Sequence, residues 1–212
     1  MTQHKVMLGI PIYQNMRSQA WLPITHSIIR AVQQQLLVGI SNPTDMYITL
    51  ARNQICREAI EADCSHVWFV DDDTTPTSCA LEILLQANKE VIGGSYNNDL
   101  DKPVAYKSLD PLEHVEFKPV AEPVAVGPVR VAAIGMGCTL ISVAILKLMA
   151  HEFGDQNWFQ TPYIRGTMTG DDVFFCERCD HLDIPIFLHP AVTAQHVKTK
   201  IVEPSSGTIV SW

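Results

Sequence analysis

The chain has 212 residues, 47% of them hydrophobic and 18% charged, which supports one folded domain with a sizeable core and excludes intrinsic disorder. Lys and Arg number 15 and Asp and Glu 23, a formal charge of −8, so nucleic acid as the main partner is disfavoured. No run of about 18 apolar residues could span a bilayer, and the N-terminus lacks the apolar core and cleavage site of a signal peptide. Six scattered cysteines fit reduced thiols, so a soluble, cytoplasmic protein is expected.

In chain order, the hydrophobic pattern predicts a strand over 5–13, a helix over 21–37 and a helix over 50–62. Residues 66–70 (HVWFV) form an almost continuous apolar run, as expected of a strand covered on both faces, and end in Asp71-Asp72-Asp73. A helix over 77–88 and a strand over 90–92 ending in Gly93-Gly94 come next, then hairpins and an irregular excursion over 99–131. A turn at Gly135-Met136-Gly137 leads to a helix over 138–150. A loop then runs to Gly170, succeeded by a helix over 171–182 and strands over 184–188 and 191–197. The alternation implies an α/β fold with an open, mixed, mostly parallel sheet and helices on both faces, in a single domain over 1–212. Such sheets bind ligands beyond the carboxyl ends of their strands, where the three aspartates fall.

Three adjacent carboxylates repel one another, and in an extended segment Asp71 and Asp73 point the same way. They could converge on a hard divalent cation that bridges to a diphosphate; the plainer alternative is an acidic turn in which Asp73 caps the next helix. Asp171 and Asp172 open a helix, where the dipole favours an anion. One of them could act as a general base, or both could simply cap that helix. His196 closes the last apolar strand and could complete the metal's coordination, although a lone His in such a place is more often structural. Arg52, near the start of its helix, is suited to an anion contact or to a surface salt bridge. Cys176 and Cys179 form a single CxxC with no companion motif, better explained as small apolar filling than as zinc or redox chemistry. Neither G-x-G-x-x-G after the first strand nor a phosphate-binding P-loop occurs.

Taken in order, GIPIY, ARNQICREA, HVWFVDDDTTP, VIGGSY, GMGCTLISVAILKLM and GDDVFFCERCDHLDIPIFLHPAVTAQHV resemble the GT-A glycosyltransferases, most closely the large inverting family with D-x-D and E-D motifs. The resemblance implies a GT-A-like sheet with a nucleotide-binding half over 1–98 and an acceptor half over 99–212. It implies a nucleotide-sugar donor, Mn2+ or Mg2+, and a saccharide or other hydroxyl acceptor. By the same resemblance Asp71, Asp72 and Asp73 face the donor, with Asp71, Asp73 and His196 as metal ligands. Pro11, Tyr13 and Arg52 lie around the nucleotide, and Gly135, Met136 and Gly137 near the sugar or acceptor. The family's usual Glu-Asp pair is Asp171-Asp172 here, which leaves two candidates for the base. The loop over 154–170, with Trp158, Tyr163 and Arg165, is expected to close over the donor.

The reading implied is metal-dependent transfer of a sugar from a nucleotide-diphospho-sugar, a UDP-sugar by expectation, with inversion. The alternatives are a sugar-phosphate nucleotidyltransferase and a non-catalytic nucleotide-sugar-binding module. The first is disfavoured because the segment after the first strand, YQNMRSQ, lacks glycine and carries one Arg.

Overall fold

The computed structural model describes residues 4–13, 16–97, 104–107, 127–164, 167–198, 200–202 and 209–211. In chain order its elements are β1 (Val6–Gly9), α1 (Ser18–Gln33), β2 (Leu37–Ser41), α2 (Ile48–Glu61), β3 (His66–Val70) and β4 (Thr74–Pro76). Next come α3 (Ala80–Gln86), β5 (Val91–Ser95), β6 (Ala105–Tyr106), β7 (Val129–Val131), β8 (Ala133–Ile134) and β9 (Cys138–Ser142). The rest are α4 (Val143–Phe153), β10 (Tyr163–Ile164), β11 (Thr167–Met168), α5 (Asp171–His181), β12 (Ile186–His196), β13 (Lys200–Val202) and β14 (Ile209–Ser211).

The central sheet runs β2-β1-β3-β9-β5-β12-β4, with β7 also on β12. β1 is parallel to β2 and β3, β5 is parallel to β12, and β9 is antiparallel to both of its neighbours. Its two faces carry separate apolar cores. One holds Ile55, Phe69, Leu146 and Phe175 under α2, α4 and α5; the other holds Ile24, Trp68, Leu81 and Leu84 under α1 and α3. The open mixed sheet with helices on both faces, expected from the sequence, is the sheet observed, with three of its seven strand pairings parallel.

Several boundaries differ from the sequence reading. Residues 138–142, expected as helix, are strand β9, and the helix starts only at Val143. Cys138–Ser142 is buried along its whole length between β3 and β5, so ladders on both sides satisfy a backbone that a helix would otherwise have to pair internally. The first helix stops at Gln33; Gln35 turns left-handed at φ 57°, and the chain passes into the edge strand β2. The helix expected over 77–88 is confined to Ala80–Gln86, because Thr74–Pro76 pairs with β12. The expected strand over 5–13 is regular only at Val6–Gly9. β5 continues through Gly93-Gly94 to Ser95, and the two closing strands are a single β12 with an irregularity between His189 and Thr193. Of the excursion over 99–131, residues 99–103 and 108–126 lie outside the described residues.

The six cysteines are all free, and Cys176 and Cys179 are fully buried, as apolar filling requires. Among the described residues, no helix is long and apolar enough to cross a membrane.

Candidate active site

β1 and β3 are neighbouring parallel strands, so Pro11–Tyr13 and Asp71–Asp73 leave the sheet at the same end. The first turn of α1 closes on this end: the Arg17 amide donates to the Asp72 carbonyl at 3.3 Å. Pro11 is buried, whereas Tyr13 is exposed beside it.

Arg52 organises the site. Its side chain is almost fully buried, and its guanidinium donates to Asp71 through Nη2 (2.8 Å to Oδ1, 3.1 Å to Oδ2) and to Asp171 Oδ2 through Nη1 (2.7 Å). One cation thus joins the end of β3 to the start of α5, two places a hundred residues apart. Burial by itself would lower the guanidinium's pKa, but the charges of Asp71 and Asp171 outweigh it, so Arg52 is held firmly protonated. The next residue anchors the wall behind it. The Asn53 amide donates to the Phe159 carbonyl (2.9 Å) and accepts from the Phe159 amide (3.0 Å). Phe159 stacks on Phe175 with ring centroids 5.1 Å apart.

This arrangement separates the two aspartates of α5. Asp171 is buried and tied to Arg52. Asp172 instead accepts the backbone N–H of Val173 at 2.8 Å, and Arg52 reaches it only at longer range. Burial pushes the Asp172 carboxyl above the ordinary carboxylate range. On the β3 side, Asp72 is pushed up to about 6 by burial and by its neighbours Asp73 and Asp71.

The predicted metal ligands come together only in part. Both oxygens of Asp71 are engaged by Arg52, and among the described residues no group of three His, Cys, Asp or Glu converges as a metal centre. Asp73 and His196 do meet, with Nε2 at 2.9 Å from Asp73 Oδ2. The other ring nitrogen, Nδ1, lies 3.0 Å from the Asn97 carbonyl, to which it must donate. With Nδ1 donating there, Nε2 meets the carboxylate either as a second donor or, in a neutral ring, across a shared cation. A backbone carbonyl fixing the far nitrogen is also the usual support of a ligating imidazole. Asp73 offers an oxygen suited to a hard cation, whereas the His196 nitrogen suits a transition ion and not Mg2+, which takes oxygen ligands.

Sequence reasoning missed Tyr96. Its hydroxyl accepts the Gly137 amide at 2.9 Å, and its ring packs at right angles to His196, 6.2 Å between centroids. The glycines flanking Met136 were the available signal. A Cβ on Gly135 would collide with the Tyr96 hydroxyl, and one on Gly137 would lie 2.9 Å from the ring. Gly137 also accepts the Asp71 amide at 3.3 Å, so this turn is part of the site's frame. Met136 instead points into the core, 1% exposed. Trp158, expected in a closing loop, is fully buried and donates through Nε1 to the Leu146 carbonyl (2.8 Å). The loop is anchored there, Tyr163 is exposed farther along, and Arg165 lies outside the described residues. His189 serves the irregularity in β12, accepting the Ala191 amide on Nδ1 at 3.2 Å.

No family model and no curated protein matches the chain by sequence. Solved structures do resemble it. A197 from STIV superposes with a TM-score of 0.57 at 15% identity, over 98% of this chain and 93% of that one. The inositol-1-phosphate CTP transferase from T. maritima covers 92% of this chain and 89% of its own, with a TM-score of 0.48 at 7% identity. The likeness to A197 from STIV shows a shared fold across nearly the whole chain.

Proposed function

We propose that the chain is a glycosyltransferase that moves a sugar from a nucleotide-diphospho-sugar, a UDP-sugar, to an acceptor hydroxyl with inversion. The observation that carries the reading is the Arg52 bridge. It draws Asp71 and Asp171 together and so sets the Asp73–His196 pair and Asp172 around one end of the sheet.

Asp172 is the base in this reading, and Asp171 is its structural neighbour. A carboxylate raised above the ordinary range by burial, as Asp172 is, is a stronger proton acceptor than a solvated one. It takes the acceptor's hydroxyl proton as that oxygen bonds to the anomeric carbon. The bond from that carbon to the donor's phosphate oxygen breaks, and a nucleoside diphosphate leaves. Asp73 and His196 would hold Mn2+, whose charge would offset that of the diphosphate. Arg52 holds Asp71 and Asp171 in place. The backbone of Gly137 and the Tyr96 hydroxyl hold the facing wall.

The test incubates the chain with nucleotide-sugars, Mn2+ and an acceptor panel, and identifies the released nucleotide. Nucleoside diphosphate release that falls about 10²-fold or more in Asp172→Asn supports the reading. Pyrophosphate release from a nucleoside triphosphate and a sugar phosphate would replace it with nucleotidyl transfer. Donor binding with no turnover on any acceptor would leave only a binding module.

A further inference from the structure

The sheet gathers a second set of ligating side chains at the end opposite the candidate active site. His66 opens β3 and Asp71 follows its close, which sets the two about 16 Å apart along an extended strand. Val6 and Trp68 belong to the core under α1 and α3. His66, the parallel partner of Val6 and two residues before Trp68, faces the same side, and alternation carries His4 there as well. The rings of His4 and His66 meet with centroids 5.5 Å apart and planes at 65°.

On the other side of β3, His66 is opposite Ser142 of β9, whose amide donates to the Glu90 carbonyl at 2.8 Å. Glu90 stands two residues before Ile92, of the same core, so its side chain shares the face. Two strand spacings put its Cα about 10 Å from that of His66, a gap that a histidine and a glutamate can close on from both sides.

Hydrogen bonds fix which nitrogen His66 presents. Ser65 Oγ accepts the Lys5 amide at 2.9 Å and gives its one proton to the Lys5 carbonyl at 3.0 Å. In its 2.9 Å contact with His66 Nδ1 the ring is therefore the donor. Burial first, and His4 second, push the His66 pKa down to about 4, so the ring is neutral near pH 7. Nε2 then carries a lone pair, and it has no hydrogen-bond partner among the described residues. An acceptor holding the far nitrogen is the support that ligating imidazoles use. The nearby cations are engaged elsewhere: Lys5 pairs with Asp63 at 3.7 Å, and Lys89 lies 4.6 Å from the centroid of the Phe187 ring.

We propose that His4 and His66 bind one divalent transition ion of the Zn2+ type through their ring nitrogens, with Glu90 as a third ligand. Two imidazoles on one tetrahedral ion, each nitrogen about 2.0–2.1 Å from the metal, hold their centroids about 5 Å apart, close to the spacing found. Imidazole selects this class over Mg2+ and Ca2+, which take oxygen ligands. Glu90 is exposed and joins by turning its side chain inward, so no three-ligand group stands assembled among the described residues. The ion ties the residues ahead of β1 to β3 and β5. The inference is independent of the proposed chemistry.

Calorimetric titration with Zn2+ tests it, on the untagged chain carrying His196→Gln, which removes the imidazole of the candidate active site. The expected result is one ion per chain, bound about 10-fold or more weakly in His4→Gln and in His66→Gln, with no binding of Mg2+. His4 precedes every regular element, so His4→Gln decides the matter if His66→Gln fails to fold. Nuclear magnetic resonance of the histidine rings adds a site-specific readout: Zn2+ should shift His66 Nε2 and leave Nδ1 protonated. Binding too weak to saturate at about 1 mM overturns the proposal, as does an affinity indifferent to His4→Gln or a His66 Nε2 signal that Zn2+ leaves in place.

Discussion

Two arginines of this chain each bind aspartate against the protein core, and they differ in stoichiometry. Arg178 on α5 meets Asp155 as a fork, Nη1 to Oδ1 at 2.9 Å and Nη2 to Oδ2 at 3.1 Å, with its guanidinium carbon 4.3 Å from the Phe153 ring centroid and 4.9 Å from that of Phe174. One cation faces one anion, and the aromatic rings complete the shell. Arg52 faces Asp71 and Asp171 directly and Asp172 at longer range, with Asp72 and Asp73 adjacent in sequence. A balanced pair holds a helix to a loop. An unbalanced one leaves excess negative charge at the strand ends, where burial first and neighbouring carboxylates second raise Asp72 and Asp172.

The comparison breaks most sharply on removal of the cation. Arg52→Met leaves the buried Asp171 and the half-buried Asp71 uncompensated and is expected to cost about 3–5 kcal/mol of stability. The melting temperature should then fall by roughly 10 °C in a chain of this size. Arg178→Met, at a partly exposed pair, should cost about 1 kcal/mol beyond its lost packing. Equal losses in thermal melts would mean that stoichiometry does not distinguish the two clusters.

Asp172→Asn separates function from stability at the same place. Transfer should fall about 10²-fold or more, while melting near neutral pH stays level or rises, because the amide removes a charge that burial disfavours. A variant that loses activity and melts lower would assign Asp172 a structural role instead.

The sequence made the positions of these carboxylates legible, but not their partners. The apolar run HVWFV ending in aspartates located the end of β3 to the residue, and the acidic opening of α5 was equally plain. That Arg52 belongs to both depends on long-range packing no local pattern encodes, and its spacing alone also suited a surface salt bridge. Cys138–Ser142 was misread for a related reason. A short apolar run leading directly into a helix has no period of its own, and only neighbours on both sides decide that it is strand. Trp158 looked like a lid residue because a loop aromatic suggests contact with ligand, whereas its indole N–H is spent on Leu146. Tyr96 could have been inferred from Gly135 and Gly137, since paired glycines around a buried residue imply something bulky across from them.

The role of Tyr96 can be tested directly. Tyr96→Phe keeps the ring between the glycines but leaves the Gly137 amide without its acceptor, a loss of about 1–3 kcal/mol in chemical denaturation. A neutral result would mean that the glycines answer to the ring alone and that the hydroxyl is dispensable to the frame.

The smallest effect carries the comparison into pH. Hydrogen bonds from Arg178 hold Asp155 below the ordinary carboxylate range, while burial holds Asp172 above it. For Asp155 the folded state binds fewer protons than the unfolded chain around the usual pKa of about 4. Its stabilisation is present above that value and lost as pH falls through the lowered one. For Asp172 the sign reverses: the stabilisation belongs to the protonated form, is complete below about pH 4, and is lost as pH rises through the raised value. Asp155→Asn should therefore melt a few degrees below wild type near pH 7, about 1 kcal/mol or less, with the gap closing on acidification. Asp172→Asn should melt at or above wild type near pH 7, and its gap should also close in acid. Opposite signs at neutral pH that converge in acid are the signature of one balanced and one unbalanced arginine; gaps of the same sign would place both carboxylates in the same electrostatic setting.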